Sequence, residues 1–178
     1  MKHTVLIPLL CLFALFACEK KSSQHLEVGV DLANVQVHFS PGGSPTTAVI
    51  NVLDEAKRSV HVQAYSFTSA LIASALKSAH DRGVKVLVVL DKSQRSERYT
   101  SATFLTNAGI PVWIDKKHAI AHNKVMIIDE SIVITGSFNF TKAAEERNAE
   151  NLLIISNKQI ADEYLANWEI HRGHSEAY

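Results

Sequence analysis

The segment Val84–Leu90 is an almost continuous run of aliphatic residues, and it directly follows Gly83. A strand without a polar face is typical of the centre of a sheet that is covered on both sides. Apolar residues at helical spacing over Ser69–Arg82 predict a helix before it, which Gly83 ends in a C-cap position. This pattern favours an α/β domain in which helices cover a central strand.

The rest of the chain alternates in the same way, and its 178 residues leave room for one domain. The predicted strands are 35–39, 59–67, 110–114, 124–128, 131–135 and 150–156, and the further predicted helices are 46–57, 100–107 and 158–171. Strands that alternate with helices predict an α/β fold. We expect a mixed, mostly parallel sheet flanked by helices, with one antiparallel hairpin around residues 129–130.

The first 17 residues differ from this body. Lys2 precedes an uncharged apolar run that has the length of a signal peptide and is too short for a comfortable membrane span. An uncleaved anchor or a buried strand is the alternative. Residues 18–34 form a predicted polar tether, and residues 35–178 the domain. Cys11 and Cys18 both precede the body, so the exported part has no pair of cysteines for a disulfide.

Residues Leu15–Cys18 resemble the box at which bacterial lipoproteins are cleaved and acylated on cysteine. The N-terminus therefore predicts an exported bacterial protein. Membrane anchoring through a lipid on Cys18 and a plain periplasmic location both remain open.

The charge balance argues against a broad basic surface. The chain has 18 Lys and Arg against 18 Asp and Glu, a formal net charge of zero, whereas nucleic-acid-binding surfaces are usually basic. Basic residues nevertheless flank the region described next, at Lys116–His118, Lys142 and Arg147. Their placement predicts a local phosphate-binding groove in a neutral molecule.

Three residues carry the clearest chemical signal: His122, Lys124 and Asp129, in the spacing His-x-Lys-x4-Asp. Side chains alternate along a strand, so His122 and Lys124 should project from the same face. A nucleophilic or acid–base imidazole beside a fixed cation suits attack on a phosphodiester. Asp129 falls on the opposite face at the predicted hairpin turn, where we expect a scaffold residue rather than a substrate contact.

The segment Gly136–Thr141 adds candidate substrate-binding residues. Alternation places Ser137 and Asn139 on one side, where they can donate to phosphate oxygens, and Phe138 and Phe140 on the core side. Gly136 would let the backbone approach a ligand closely.

Glu150 begins an otherwise apolar predicted strand. A carboxylate entering a core strand usually has a partner, and a histidine ring that must be oriented is a suitable one.

Together these residues resemble the signature of the phospholipase D superfamily, in order and in spacing. The resemblance extends over about residues 35–172 and is greatest to the small exported bacterial endonucleases with one signature per chain. Because family members place two signatures about a two-fold axis, the resemblance implies a homodimer with a shared active site.

The resemblance also implies a mechanism. His122 of one subunit would attack phosphorus, and His122 of the other would protonate the leaving oxygen and then activate water. Lys124, with Ser137 and Asn139, would bind the non-bridging oxygens. Glu150 would orient His122, and the scaffold residue of the hairpin turn would support the loop. No cofactor and no metal would be needed.

The predicted function is thus a metal-independent phosphodiesterase, a sequence-nonspecific endonuclease that hydrolyses DNA through a phosphohistidine intermediate, with RNA as a second nucleic-acid substrate. The alternative is a phospholipase D that acts on phosphatidylcholine-type or cardiolipin headgroups. A catalytically silent nucleic-acid-binding module is the third interpretation.

A metal site is a further alternative, because His118 and His122 are four residues apart and His171 and His174 form a His-x-x-His pair. Residues 118–124 lack a helical pattern, and no cysteine lies nearby. His171 and His174 fall in what the sequence indicates is a polar tail. We therefore expect no metal site.

Overall fold

The computed structural model describes residues 34–178. The predicted signal peptide, and the predicted tether except for Asn34, lie outside the described residues. The elements run as follows: β1 Val35–Ser40, α1 Pro45–Glu55, β2 Ser59–Ala64, α2 Ala70–Asp81, β3 Lys85–Asp91, a 3₁₀ turn Lys92–Arg95, α3 Ala102–Asn107, β4 Val112–Asp115, β5 Lys124–Ile128, β6 Ile132–Gly136, α4 Lys142–Glu146, β7 Glu150–Ser156, α5 Lys158–Gly173 and β8 Glu176–Ala177.

These strands form one mixed sheet in the order β1-β7-β6-β5-β2-β3-β4-β8. The predicted α/β class is confirmed, but the expectation of a mostly parallel sheet was wrong. Only β2–β3 and β3–β4 pair in parallel, and the other neighbours are antiparallel. Parallel neighbours need a long crossover connection, usually a helix. In this chain α2 and α3 make such crossovers between β2, β3 and β4.

The predicted hairpin is confirmed as β5 and β6, with Met126 opposite Ile134. Its turn places Asp129 and Glu130 in the left-handed region, at φ 51° and 55°. Consecutive positive φ values match the twist of a tight hairpin. The prediction omitted α4 and β8, since elements of five and two residues carry no readable period.

Helices cover the sheet on both faces, as the apolar β3 segment predicts. On one face Leu53 of α1 and Leu76 of α2 pack with Val88 of β3. On the other face Val89 of β3 packs with Trp168 of α5. The Trp168 indole N–H donates to the carbonyl of Val62 at 2.8 Å, which fixes α5 on the sheet. Within residues 34–178 no helix combines the length and hydropathy needed to cross a bilayer.

Candidate active site

Antiparallel pairing brings the predicted site residues other than Asp129 to one end of the sheet. Lys124 begins β5 opposite Ala64, the last residue of β2. Next to β5, β6 ends at Gly136, and β7 begins at Glu150. His122 precedes β5, so its position follows from the loop before the strand and not from strand alternation.

His122 and Lys124 meet at this end through the ring of Tyr65. His122 is exposed, whereas Lys124 is only 6% exposed. The Lys124 ammonium donates to the carbonyl oxygen of His122 at 2.8 Å and lies 5.2 Å from the centre of the Tyr65 ring, within cation–π range. The Tyr65 and His122 ring centres are 4.7 Å apart. Tyr65 therefore contacts both groups.

The environment of Lys124 is suited to binding an anion. Burial lowers the pKa of Lys124, and the nearby Glu150 carboxylate acts in the opposite direction. No ion pair within residues 34–178 involves Lys124. A partly desolvated cation interacts more strongly with a phosphate than an exposed one does.

Glu150 has partners other than the one predicted. Its Oε2 accepts a hydrogen bond from the Ser137 hydroxyl at 2.6 Å, and its Oε1 accepts one from the Asn148 amide at 3.0 Å. Among the described residues, neither oxygen bonds to His122. The physical reason is the strand order: β6 separates β7 from β5, a distance of roughly 10 Å at the usual strand spacing.

Ser137 is fully hydrogen-bonded within the chain. Its hydroxyl donates to Glu150 and accepts from the backbone N–H of Asn151 at 3.0 Å. Ser137 can thus donate its hydroxyl proton to a phosphate only by giving up the bond to Glu150. Phe138 and Phe140 precede and follow Asn139 in the sequence, and their buried rings anchor the segment as the alternation predicts. The Oδ1 of Asn139 is buried without a hydrogen bond.

Gly136 is needed for a reason that differs from the expected one. Its φ is 143°, and a Cβ at this position would lie 2.4 Å from the carbonyl oxygen of Asn151. Within this structure, the close approach that requires glycine is to β7.

Asp129 lies at the other end of β5, about 17 Å along the strand from Lys124 at the usual rise per residue. Its carboxylate accepts the backbone N–H groups of Lys57 at 2.9 Å, Arg58 at 2.7 Å and Ser59 at 2.9 Å. Burial acts to raise the pKa of Asp129, but these hydrogen bonds and the Arg58 charge outweigh it and hold the pKa below its usual value. The geometry gives Asp129 a scaffold role.

Comparison with known proteins decides the family. Residues 49–171 match the family described as cardiolipin synthase, PLD-like domain, which is more than half of the chain. This chain belongs to the phospholipase D-like family.

Two curated relatives show the extent of the similarity. A phospholipase D of Rickettsia felis is 47% identical over 136 residues, which is 76% of this chain and 68% of the relative. The human mitochondrial cardiolipin hydrolase is 31% identical over 128 residues, which is 72% of this chain and 51% of that protein.

Among solved structures, the phospholipase D family member Nuc from Salmonella typhimurium superposes with a TM-score of 0.79 at 41% sequence identity. The match covers 81% of this chain and 97% of Nuc. With the family match, these similarities make this phospholipase D-like protein a hydrolase of phosphodiester bonds.

The predicted basic groove of the phospholipase D-like domain is weaker than the sequence suggests. Lys116 pairs with Glu176, and Lys142 pairs with Glu146 at 3.5 Å. Both pairs are exposed and contribute little to stability. They do reduce the local excess of positive charge, whereas the buried ammonium of Lys124 contacts His122 directly through its carbonyl oxygen.

The histidines considered for a metal site are arranged differently from the expectation. His118 does not join His122. Instead, the end of α5 folds back on the sheet and brings His171 and His174 to His118, around the buried carboxylate of Asp115. The view of residues 171–174 as a polar tail was therefore wrong.

Sequence reasoning missed three residues of the site: Tyr65, Asn148 and Asn151. Tyr65 directly follows β2, and its position beside His122 depends on the pairing of β2 with β5. Asn148 and Asn151 flank Glu150 in the sequence, which is the one local signal that could have indicated them.

Proposed function

We propose that the protein is a metal-independent endonuclease that hydrolyses DNA, with RNA as a second candidate substrate, through a phosphohistidine intermediate. The observation that carries this proposal is that exposed His122 and the buried ammonium of Lys124 both contact the ring of Tyr65, and that the ammonium donates to the carbonyl oxygen of His122. Ser137, Asn139 and Glu150 give this sheet end polar groups, and a strand of nucleic acid can lie across it and present any of its phosphates to the imidazole.

The proposal includes a homodimer. Each chain supplies one His122, whereas the proposed chemistry needs two imidazoles on opposite sides of one phosphorus. Within the described chain His122 also lacks the carboxylate partner that would orient its ring. A two-fold axis near the start of β5 would supply both the second imidazole and a second Glu150.

In the proposed reaction, a ring nitrogen of one His122 forms a bond to phosphorus, and the bond from phosphorus to the leaving oxygen breaks. The second His122 gives its proton to that oxygen. Water then attacks phosphorus and gives a proton to the second imidazole, and the bond from phosphorus to nitrogen breaks. Two Lys124 ammonium groups would hold the non-bridging oxygens throughout, assisted by Ser137 and Asn139.

The charge of the chain bears on substrate binding. With a net charge of zero and two of the flanking lysines in ion pairs, the surface has few cations to exchange for condensed counterions. We therefore expect modest affinity for nucleic acid, which salt weakens further.

A phospholipase D that acts on phospholipid headgroups is the second candidate, and two observations favour it. The curated relatives are named phospholipase D and cardiolipin hydrolase. In addition, the apolar side chain of Ile120, two residues before His122, is 57% exposed and could contact acyl chains. A silent binding module is the third candidate, and the exposed His122 argues against it.

The proposal extends to location, on the sequence of residues 1–18 alone. We propose export, with Cys18 either lipidated as a membrane tether or simply near the new N-terminus of a periplasmic protein. The mass of the mature chain distinguishes these cases, and a chain that retains Met1 to Ala17 would contradict cleavage.

The test is a substrate panel with the purified protein in buffer containing EDTA. Plasmid DNA, RNA, phosphatidylcholine vesicles and cardiolipin vesicles are each incubated with the wild-type protein and with His122→Ala. We expect the wild type to convert supercoiled plasmid to nicked and linear forms and to leave both lipids intact. We expect His122→Ala to leave the plasmid supercoiled and both lipids intact.

Headgroup release without DNA cleavage would replace the nuclease by the lipid enzyme. Loss of DNA cleavage in EDTA by a protein that remains folded by circular dichroism would contradict the metal-independent mechanism. Light scattering on the active fraction tests the dimer, because full activity in a monomeric fraction would contradict the shared site.

A further inference from the structure

A second polar cluster lies at the start of the loop between β4 and β5, whose other end carries His122. Asp115 ends β4 and His118 follows it by three residues, while His171 and His174 come from the last turn and the C-cap of α5. One ligand atom from each of the four side chains lies within 4.8 Å of the others.

Three imidazole nitrogens converge on a single carboxylate oxygen. The Nδ1 atoms of His118 and His171 are 2.9 Å and 2.8 Å from Oδ2 of Asp115, and Nε2 of His174 is 3.2 Å from it. The other oxygen, Oδ1, accepts the backbone N–H of Lys117 at 3.0 Å. Oδ2 therefore faces the three imidazoles, while Oδ1 bonds to the backbone.

Hydrogen bonding alone satisfies this arrangement poorly. A carboxylate oxygen offers two lone pairs, and His118 and His171 already engage it. Nε2 of His174 is buried and close to Oδ2, but it is misaligned and makes no hydrogen bond. A buried polar atom without a partner is uncommon in native structures and calls for a ligand or another explanation.

The donor set matches a transition-metal ion. Three imidazoles and one carboxylate are ligands that zinc accepts in a four-coordinate site, with no need for cysteine. Tetrahedral zinc at its usual bond lengths sets neighbouring donor atoms about 3.4 Å apart. Side-chain adjustments of roughly 1 Å would reach that spacing from the present one.

The burial of the four residues suits a structural site with an entry path. The side chain of Asp115 is 0% exposed, and those of His171 and His174 are 13% and 19% exposed. His118 is 43% exposed and forms the open side. Neighbouring contacts hold the scaffold: Arg172 stacks 4.0 Å from the centre of the Trp113 ring, and β8 pairs with β4.

We propose that Asp115, His118, His171 and His174 bind one divalent transition-metal ion of the zinc type. Four protein ligands leave no open position for a substrate, which indicates a structural rather than a catalytic role. The ion would join the end of α5 to the loop between β4 and β5, whose far end carries His122. The inference does not depend on which phosphodiester the enzyme cleaves.

The test uses untagged full-length protein, freed of metal with a chelator and then dialysed. Zinc is titrated against a chromophoric chelator to measure its affinity, and bound zinc per chain is measured by elemental mass spectrometry. Thermal unfolding is followed by circular dichroism. We expect one zinc per chain and a rise in Tm of several degrees, because an ion that binds only the folded state stabilises it.

Variants assign the site. We expect His171→Ala to weaken zinc binding by more than the roughly 10–100-fold typical of losing a residue that only supports a ligand. His118→Ala, at the exposed side, should weaken it without preventing folding. The matched control His80→Ala removes an imidazole on α2 outside the cluster and should bind zinc as the wild type does.

Substitution with Co²⁺ tests the coordination geometry independently, because four-coordinate Co²⁺ absorbs visible light far more strongly than octahedral Co²⁺. The proposal is overturned if the protein binds less than stoichiometric zinc, or if His118→Ala and His171→Ala bind it as tightly as His80→Ala. It is also overturned if zinc leaves the Tm of the wild type unchanged, which would make the cluster an ion-pair network only.

Discussion

The two ends of β5 carry residues of the same signature and use them in opposite ways. At the start of the strand His122 is exposed, and Lys124 has no carboxylate in ion-pair contact within the described chain. At the end of the strand, three backbone N–H groups donate to the carboxylate of Asp129. His122 and Lys124 are thus available to a substrate, whereas the Asp129 carboxylate is used to stabilise the fold.

This difference distinguishes two roles for a residue of the signature, one in the reaction and one in stabilising the fold. A polar group that has no hydrogen-bond partner in the chain can bind or react with a substrate. A group that is hydrogen-bonded to backbone donors stabilises the local structure instead. The comparison predicts that substitutions at the first end change the rate and that substitutions at the second end change stability.

The largest effect is expected for His122→Ala. Removal of the nucleophile should reduce the rate of phosphodiester hydrolysis on the order of 10⁴-fold or more. Because the side chain is exposed, the free energy of unfolding should change by less than about 0.5 kcal/mol. Single-turnover kinetics and urea unfolding measure both quantities, with His80→Ala as control. A rate within tenfold of the wild type would remove His122 from the chemistry.

The next effect is expected for Lys124→Met, which removes the cation at similar length. The rate should fall about 10²–10³-fold, as for other lost oxyanion-stabilising groups. Stability should stay the same or rise slightly, because the wild type buries a charged ammonium below the lowered pKa of Lys124. This cost falls as the pH rises from that folded-state pKa and is absent above the unfolded-state value of 10.5.

The same shift sets the pH dependence of the wild-type rate. Burial lowers the pKa of Lys124 below its ordinary 10.5, so the rate should fall with rising pH earlier than for an exposed lysine. Lys124→Arg keeps its charge at alkaline pH, so its rate should not show this fall with rising pH. An unchanged limb in Lys124→Arg would mean that another group causes it.

The smallest effect on the rate is expected for Asp129→Asn, whose effect is on stability. At neutral pH the substitution should lower the free energy of unfolding by about 2 kcal/mol, since an amide cannot accept all three N–H groups. Asp54→Asn, on the exposed face of α1, is the control and should have no measurable effect on stability.

The sign of the pH dependence follows from the lowered pKa of Asp129. A depressed carboxyl pKa contributes stability above the unfolded-state value of 3.8, and this contribution is lost as the pH falls through the folded-state value. Wild type and Asp129→Asn should thus converge in stability in acid. A constant difference from pH 7 to pH 3 would contradict the scaffold role.

Much of the fold could be predicted from local patterns. The spacing of apolar residues predicted the principal helices and strands, and the alternation of Phe138 and Phe140 predicted which side of that segment is buried. The proportion of parallel pairing could not be predicted in this way. Strand order depends on contacts between distant segments, and a strand has the same apolar pattern whether its neighbour runs parallel or antiparallel to it.

The candidate site divides in the same way. The spacing of His122, Lys124 and Asp129 is a local signal, and so is the turn position that assigns Asp129 to the scaffold. The partners of Glu150 and the contact of Tyr65 with His122 depend on which strands are neighbours. The insertion of β6 between β5 and β7 is what directs Glu150 to Ser137.

The sequence by itself determined the α/β class, the family signature and the division between an apolar core and a polar strand end, because these follow from the period of side chains along each element. Only the tertiary structure decided that α5 brings His171 and His174 to Asp115 and His118. Those residues are about 55 positions apart in the chain, and the packing of Trp168 against the sheet joins them. Long-range packing of this kind leaves no local period in the sequence, so the histidine cluster could be found only after the chain had folded.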